Sequence, residues 1–122
     1  MHLWGEAVRN QNKAQVVEQY EKGATLVPTM SNEVRQGHKE IGAYFDGFLP
    51  KIDGNVEWTE NVCKSLSPTQ KLWTGTYRFS LVSGPQDARF TFVLTKDLSD
   101  DDWKITHHHS SAFPEDKGNS TA

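Results

Sequence analysis

The sequence predicts an α+β domain, in which helices from the first half of the chain pack inside a strongly curved mixed or antiparallel sheet. Two observations indicate this class. Apolar residues recur with helical spacing in the first 50 positions, and four strand-like segments then follow at the regular intervals of an antiparallel meander. A chain order with helices first and strands afterwards is typical of the α+β class. A sheet curved around a helix makes a cone, and we expect a ligand cavity inside it.

Two short helices and a longer one are predicted before the meander. Asn12 is a good N-cap for the second helix, and Gly23 is a natural stop. The apolar faces carry Trp4, Ala7 and Val8 in the first helix and Val16, Val17 and Tyr20 in the second. A short strand is predicted at 24–27. The third helix begins near Gly37, and its apolar stripe consists of Ile41, Tyr44, Phe45, Phe48 and Leu49.

The predicted strands are separated by turn signals such as Ser83-Gly84-Pro85 and by an acidic run at 97–102. Their predicted bounds are 56–66, 71–82, 88–96 and 103–111. We expect one domain over residues 1–114. The remaining residues, 115–122, are small and polar, and this composition predicts a flexible tail.

The third strand of the meander has two unlike faces. Phe90, Phe92 and Leu94 share one face, and the opposite face consists of Arg89, Thr91, Val93 and Thr95. A face exposed to water usually carries more charge than this. Because helices can cover only one face, we expect a second copy of the chain to cover the other, giving a homo-oligomer built sheet to sheet. The alternative is an ordinary solvated face rich in threonine.

Composition excludes several classes of function. The net charge is −3 and no basic stripe is present, which argues against nucleic-acid binding. No apolar run reaches the length of a membrane span, and the first residues do not resemble a signal peptide. The single cysteine, Cys63, excludes an internal disulfide and favours a reducing compartment. We therefore expect a cytoplasmic protein without membrane or nucleic-acid partners, and no motif indicates a cofactor.

Several segments of the chain together carry a resemblance to known proteins. They include Arg35-Gln36-Gly37, Gly75-Thr76-Tyr77, Ala88-Arg89-Phe90-Thr91-Phe92-Val93 and Trp103-Lys104-Ile105, followed by His107-His108-His109-Ser110-Ser111 and Pro114. Together these segments resemble the association-domain (hub) family of calcium/calmodulin-dependent protein kinase II in its stand-alone form. The resemblance covers about residues 4–114. The family belongs to the nuclear-transport-factor-two-like superfamily of cone-shaped α+β domains, whose polyketide-cyclase-like members share the fold.

The resemblance implies dimers that can close into rings, and a pocket that binds small carboxylates. It places Arg89 on a pocket arginine, and it matches His107 and His109 to the family's His-x-His. Two positions depart from the family: Ser110 stands where the hubs have an arginine, and Ile41 stands where they have a histidine. A chain of this length has no room for a kinase domain, so we expect no kinase activity.

Arg89 is the leading candidate for contacting an anionic ligand. A lone arginine among apolar and hydroxyl residues needs an anionic partner if it is buried, and its planar guanidinium suits a carboxylate. The alternative is a structural ion pair with Glu57, Glu60 or an acid of another chain. His107 and His109 project from one face of their strand. They could shape the pocket, act as an acid or base, or serve a structural role. Metal binding would need further ligands, and none is expected.

Aromatic residues complete the predicted pocket, and they leave three readings of function open. Tyr77, Trp58 and Tyr20 could line the cavity, with an ordinary aromatic core as the alternative. The first reading is a ligand-binding oligomerisation domain without catalytic residues. The second is an isomerase, cyclase, dehydratase or oxidoreductase-like enzyme that uses a histidine or carboxylate as its base. The third is an assembly module whose cavity is filled by its own side chains.

Overall fold

The computed structural model describes residues 2–29, 31–99 and 101–115. Three helices, one short 3-10 turn and six strands make up this part of the chain. In chain order they are α1 (His2–Arg9), α2 (Lys13–Glu18), β1 (Tyr20–Val27), β2 (Arg35–Gln36), α3 (Gly37–Phe48), the 3-10 turn (Leu49–Lys51), β3 (Ile52–Ser67), β4 (Gln70–Leu81), β5 (Gly84–Asp97) and β6 (Asp102–Ala112). The α+β class and the mixed, curved sheet are as the sequence predicts.

The strands form one sheet in the order β2-β1-β6-β5-β4-β3. The pairing of β1 with β6 is parallel, and every other neighbouring pair is antiparallel. The meander from β3 to β6 therefore has the predicted order. The last strand, β6, also pairs with the first strand, β1. Parallel pairing requires a long connection, which here includes α3 and most of the meander.

The two faces of the sheet differ in what covers them. We call the face that packs against the helices the inner face and the opposite one the outer face. Phe92 pairs with His108 and both are buried on the inner face, whereas Thr91 pairs with His109 on the outer face. Side chains alternate between faces along a strand, so these pairs fix the orientation of β5 and β6.

The core lies between the inner face and the helices. Trp4, Val16, Ile41 and Phe45 come from the helices and are at most 1% exposed. The sheet contributes Tyr77, Phe79, Leu81, Phe90, Phe92, Leu94 and Ile105. Asn12 caps α2 as predicted, since its side chain accepts a hydrogen bond from the Gln15 amide over 3.2 Å.

The prediction that Tyr20 belongs to the second helix is wrong. That helix ends at Glu18, and Tyr20 is the first residue of β1. The Ile105 amide donates to the Gln19 carbonyl over 2.8 Å, so the chain begins to pair with β6 directly after the helix. This long-range pairing outweighs the local helical pattern. The strand predicted at 24–27 consequently begins four residues earlier, and β2 was not predicted.

Gly75 permits an unusually close approach between β3 and β4. A Cβ atom built at Gly75 would lie 2.0 Å from the Glu60 carbonyl oxygen. The register of β3 shifts between Trp58 and Glu60, beside this contact. A bulge paired with a glycine is a common way to bend a sheet sharply.

Two further predictions concern the ends of the chain and membranes. Residues 116–122 of the predicted tail lie outside the described residues. Within the described ranges, the helices are all too short or too polar to cross a lipid bilayer.

Candidate functional site

A small cavity lies inside the cone, between the inner face, α1 and α3. Its volume is about 20 Å³. It is lined by Trp4, Leu26, Pro28, Thr29, Tyr44, Phe45, Phe48, Tyr77, Phe79, Gln86, His108 and Ser110. The cavity is where the sequence predicts it, but aromatic side chains fill most of the interior. The space that remains is sufficient for roughly one water molecule.

A chain of buried hydrogen bonds runs beside this cavity. The Trp4 indole N–H donates to the Tyr20 hydroxyl over 3.1 Å, and the Tyr20 hydroxyl lies 2.8 Å from His108 Nδ1. On the other side of the imidazole, His108 Nε2 lies 3.1 Å from the Tyr77 hydroxyl. The Tyr77 hydroxyl donates to Ser110 Oγ over 2.5 Å, and Ser110 Oγ lies 2.5 Å from Thr29 Oγ1. We call these six residues the interior chain.

The donors at each step set the direction of the interior chain. An indole N–H can only donate, so the Tyr20 hydroxyl accepts from Trp4 and gives its own proton to His108 Nδ1. The Tyr77 proton is given to Ser110, so His108 Nε2 must carry a proton and donate it to Tyr77. His108 is therefore the neutral tautomer protonated on Nε2.

Burial keeps His108 in this neutral form. Its side chain is 2% exposed. Desolvation, with smaller repulsions from His107 and His109, lowers the pKa of His108 from 6.5 to about 3. Burial also raises the pKa of Tyr20, Tyr77 and Tyr44 above the ordinary value for a tyrosine. The interior chain is therefore an uncharged network near neutral pH. No group in it is poised to act as a base there.

Three of the predicted pocket residues lie on the inner face. Tyr77 lines the cavity and belongs to the interior chain. Tyr20 is 1% exposed and also belongs to the chain, although it does not line the cavity. Trp58 is half-buried and packs against Trp4, with the ring centroids 5.9 Å apart. Trp58 supports the aromatic core and does not line the cavity.

The other three predicted pocket residues lie on the outer face, so the placement predicted for them inside the cone is wrong. Arg89 and His109 are exposed, and His107 pairs with Val93 across the outer face. Strand alternation is the physical reason: Phe90 and Phe92 point into the core, so Arg89 must point away from it. The same alternation divides the three histidines, and His108 is the one that enters the core.

Arg89 and His109 do lie together, in a shallow concavity of the outer face. It has a volume of about 360 Å³ and is lined by Thr74, Gly75, Thr76, Arg89, Phe90, Thr91, His109 and Ser111. The Arg89 guanidinium donates to Ser111 Oγ over 3.3 Å. Among the residues that line this concavity, none is acidic.

Sequence reasoning missed the polar residues of the interior. His108, Ser110 and Thr29 are buried, and each contributes to the interior chain. Alternation from Phe92 through the antiparallel pairing would have identified His108 and Ser110. Thr29 carried no such signal, because it follows β1 in a loop.

The described residues show no metal centre. No group of three or more histidine, cysteine, aspartate or glutamate side chains comes together among them in a way that could hold an ion. His107 and His109 lack the further ligands that a zinc site would need.

Comparison with known proteins identifies the family. No family model matches the chain, and no curated protein matches it. Among solved structures, a candidate calcium/calmodulin-dependent protein kinase II association domain from Xanthomonas campestris is 33% identical, with a TM-score of 0.82. The alignment covers 93% of this chain and 82% of that one.

More distant structures share the fold. An NTF-2-like protein of unknown function from Shewanella oneidensis MR-1 has 23% identity and a TM-score of 0.74, covering 90% of this chain and 91% of that one. A ketosteroid isomerase-like protein from Erwinia carotovora atroseptica has 14% identity and a TM-score of 0.77, and the alignment covers 93% of this chain and 91% of that one. Through its similarity to the Xanthomonas protein, the chain belongs to the association-domain family of calcium/calmodulin-dependent protein kinase II, and its fold is NTF2-like.

Proposed function

We propose that this chain is a homo-oligomerisation domain whose basic unit is a dimer paired through the outer face of the sheet. The observation that carries the proposal is the composition of that face. Its centre is formed by hydroxyl and aliphatic side chains, namely Leu72, Thr74, Thr91, Val93 and Thr95, each of them half-buried within a single chain. The Xanthomonas relative is named as an association domain, which supports the same function here.

An ion pair lies at one end of this centre. Arg78 pairs with Asp87 across β4 and β5, with Nε and Oδ1 2.9 Å apart. Val62, next to Thr74 in the sheet, is 53% exposed and extends the apolar area toward β3. An apolar or hydroxyl centre with charged residues at the rim is the usual anatomy of a protein interface. The helices pack on the inner face, so within the described residues they leave this surface uncovered.

A charge at the centre of the outer face tests the proposal. In the dimer, Val93→Glu would place a carboxylate in a desolvated position opposite the second copy. We expect this variant to be monomeric and folded, since the same side chain faces water in the single chain. Val82→Glu is the matched control, because Val82 is 73% exposed beside the turn between β4 and β5. Light scattering after gel filtration distinguishes the outcomes. A Val93→Glu protein with the mass of the parent would contradict pairing through this face.

A second function is favoured by the concavity around Arg89: binding of a small carboxylate. Arg89 and His109 supply nitrogen donors, and Thr74, Thr76, Thr91 and Ser111 place hydroxyl groups around them. In a dimer paired through this face, the carboxylate would lie between the two copies. The interior cavity, with a volume of about 20 Å³, is too small for such a ligand.

Thermal unfolding with added acids tests this second function. A ligand that binds only the folded protein raises its stability by mass action. We expect acetate or succinate to raise the unfolding temperature more than sodium chloride of equal ionic strength does. Arg89→Ala should abolish that difference. If the variant retains the full carboxylate-dependent increase, Arg89 does not bind the ligand.

A further inference from the structure

A larger open groove lies apart from both the interior cavity and the Arg89 concavity. Its volume is about 470 Å³, within the roughly 300–1,000 Å³ that is typical of small-molecule sites. The groove is lined by Leu3, Gln19, Asn61, Cys63, Lys71, Trp73, Leu94, Asp102 and Trp103. These residues come from α1, the position directly after α2 and strands β3 to β6. None of them belongs to the interior chain.

The groove has a rigid apolar surface with two tryptophans. Trp73 stacks on Phe92, with ring centroids 5.4 Å apart and an angle of 22° between the planes. Phe92 is fully buried, so this contact fixes the orientation of the Trp73 ring. Leu94 is 8% exposed, and Leu3 at the rim is 52% exposed. Half-buried indole faces held by a packed core are suited to stacking on a planar ring.

A cation lies beside these aromatic faces. The Lys71 ammonium is 4.5 Å from the centroid of the Trp103 ring. Such a contact is favourable and keeps the charge next to the ring. The acidic residue of the groove, Asp102, is paired with Lys104, with 3.5 Å between Oδ2 and Nζ. The Lys71 side chain lines the groove, where its ammonium can pair with an anionic group brought by a ligand. The side-chain amide of Asn61 provides further hydrogen-bond donors.

We propose that this groove binds a small planar aromatic molecule that carries an acid group. The ring lies against Trp73 and Trp103, and the acid group pairs with Lys71. This site is separate from the outer face, through which we propose that the chain pairs.

Two dyes that differ in one charged group test the proposal. Anilinonaphthalene sulfonate carries an acid group, and N-phenylnaphthylamine has nearly the same rings without it. We expect the parent protein to bind the sulfonate about tenfold more tightly, the effect of one charge-assisted contact. Lys71→Gln should remove this preference while leaving the neutral dye bound. Lys64→Gln is the matched control, because Lys64 is exposed in β3 opposite Leu72 on the outer face. Equal affinity for the sulfonate in the parent and in Lys71→Gln would overturn the proposal.

The rate at which Cys63 is alkylated tests where the dye binds. It is exposed and lines the groove. A saturating concentration of the sulfonate should slow the alkylation of Cys63 by iodoacetamide several-fold. Unchanged alkylation would place the dye elsewhere and overturn the proposal. Alkylation that slows with rising protein concentration in the absence of dye would show that a second copy covers the groove, and this would also overturn it.

Discussion

The Tyr20 hydroxyl lies 2.8 Å from His108 Nδ1, and it also accepts the indole N–H of Trp4. One hydroxyl thus joins α1, β1 and β6 in the centre of the core. Tyr20 and Trp4 are both 1% exposed, and His108 is 2% exposed. The buried Trp4 indole N–H and His108 Nδ1 therefore depend on this hydroxyl for their hydrogen bonds.

Removing that hydroxyl should lower the free energy of unfolding. Tyr20→Phe would leave the Trp4 N–H and His108 Nδ1 buried without partners, and we expect a loss of about 2–4 kcal/mol in the free energy of unfolding. Tyr44→Phe is the control, since the Tyr44 hydroxyl makes a half-buried bond to the Thr29 carbonyl over 2.8 Å. That variant should lose only about 1 kcal/mol. Chemical denaturation measures both, and equal losses would contradict the importance assigned to Tyr20.

His108 should make stability depend on pH. Its pKa is lowered from 6.5 to about 3 on folding, so the unfolded chain takes up the proton first as the pH falls. The stabilisation is complete above pH 6.5 and is lost as the pH falls from 6.5 towards 3. The slope contributed by one proton is at most about 1.4 kcal/mol per pH unit. Unfolding free energies measured across this range, for the parent and for His108→Gln, should differ in slope by this contribution.

The slope measured for His108→Gln decides whether the buried imidazole causes that pH dependence. If His108→Gln retained the parent's slope between pH 3 and 6.5, the neutral buried imidazole would not be the cause.

Gly75 and Gly47 should respond in opposite ways to alanine. At Gly75 the new methyl group would collide with the Glu60 carbonyl, and overpacking of this kind costs about 1–3 kcal/mol or more. Gly47 lies in α3, and a methyl group added there would meet no atom within 4 Å, so alanine should stabilise the helix by about 0.5–1 kcal/mol. Thermal or chemical unfolding of the two variants checks this pair. A stable Gly75→Ala protein would show that β3 and β4 do not approach so closely.

Much of the fold was predictable because its signals are local. The helical stripe from Ile41 to Leu49 and the alternation of Phe90, Phe92 and Leu94 each depend on residues close in sequence, and the structure confirms both. The start of β1 was not predictable in the same way. Tyr20 fits a helical pattern, and only its partner in β6, more than 80 residues away in the chain, makes it a strand residue.

The candidate site was harder to predict, because it depends on which face of the sheet becomes the interior. The resemblance to the kinase hubs placed Arg89, His107 and His109 inside, whereas alternation from Phe92 places His108 there. The alternation was visible in the sequence and was the better guide. The size of the cavity was not predictable, since it depends on how Trp4, Tyr44 and Phe48 fill the cone.

The molar mass in solution tests the central claim most directly. One chain has a mass of 13.8 kDa. Light scattering or sedimentation equilibrium at micromolar protein concentrations should give twice this value or an even multiple of it, if dimers are the unit of assembly. A mass of 13.8 kDa at those concentrations would contradict the proposal that this chain is an oligomerisation domain.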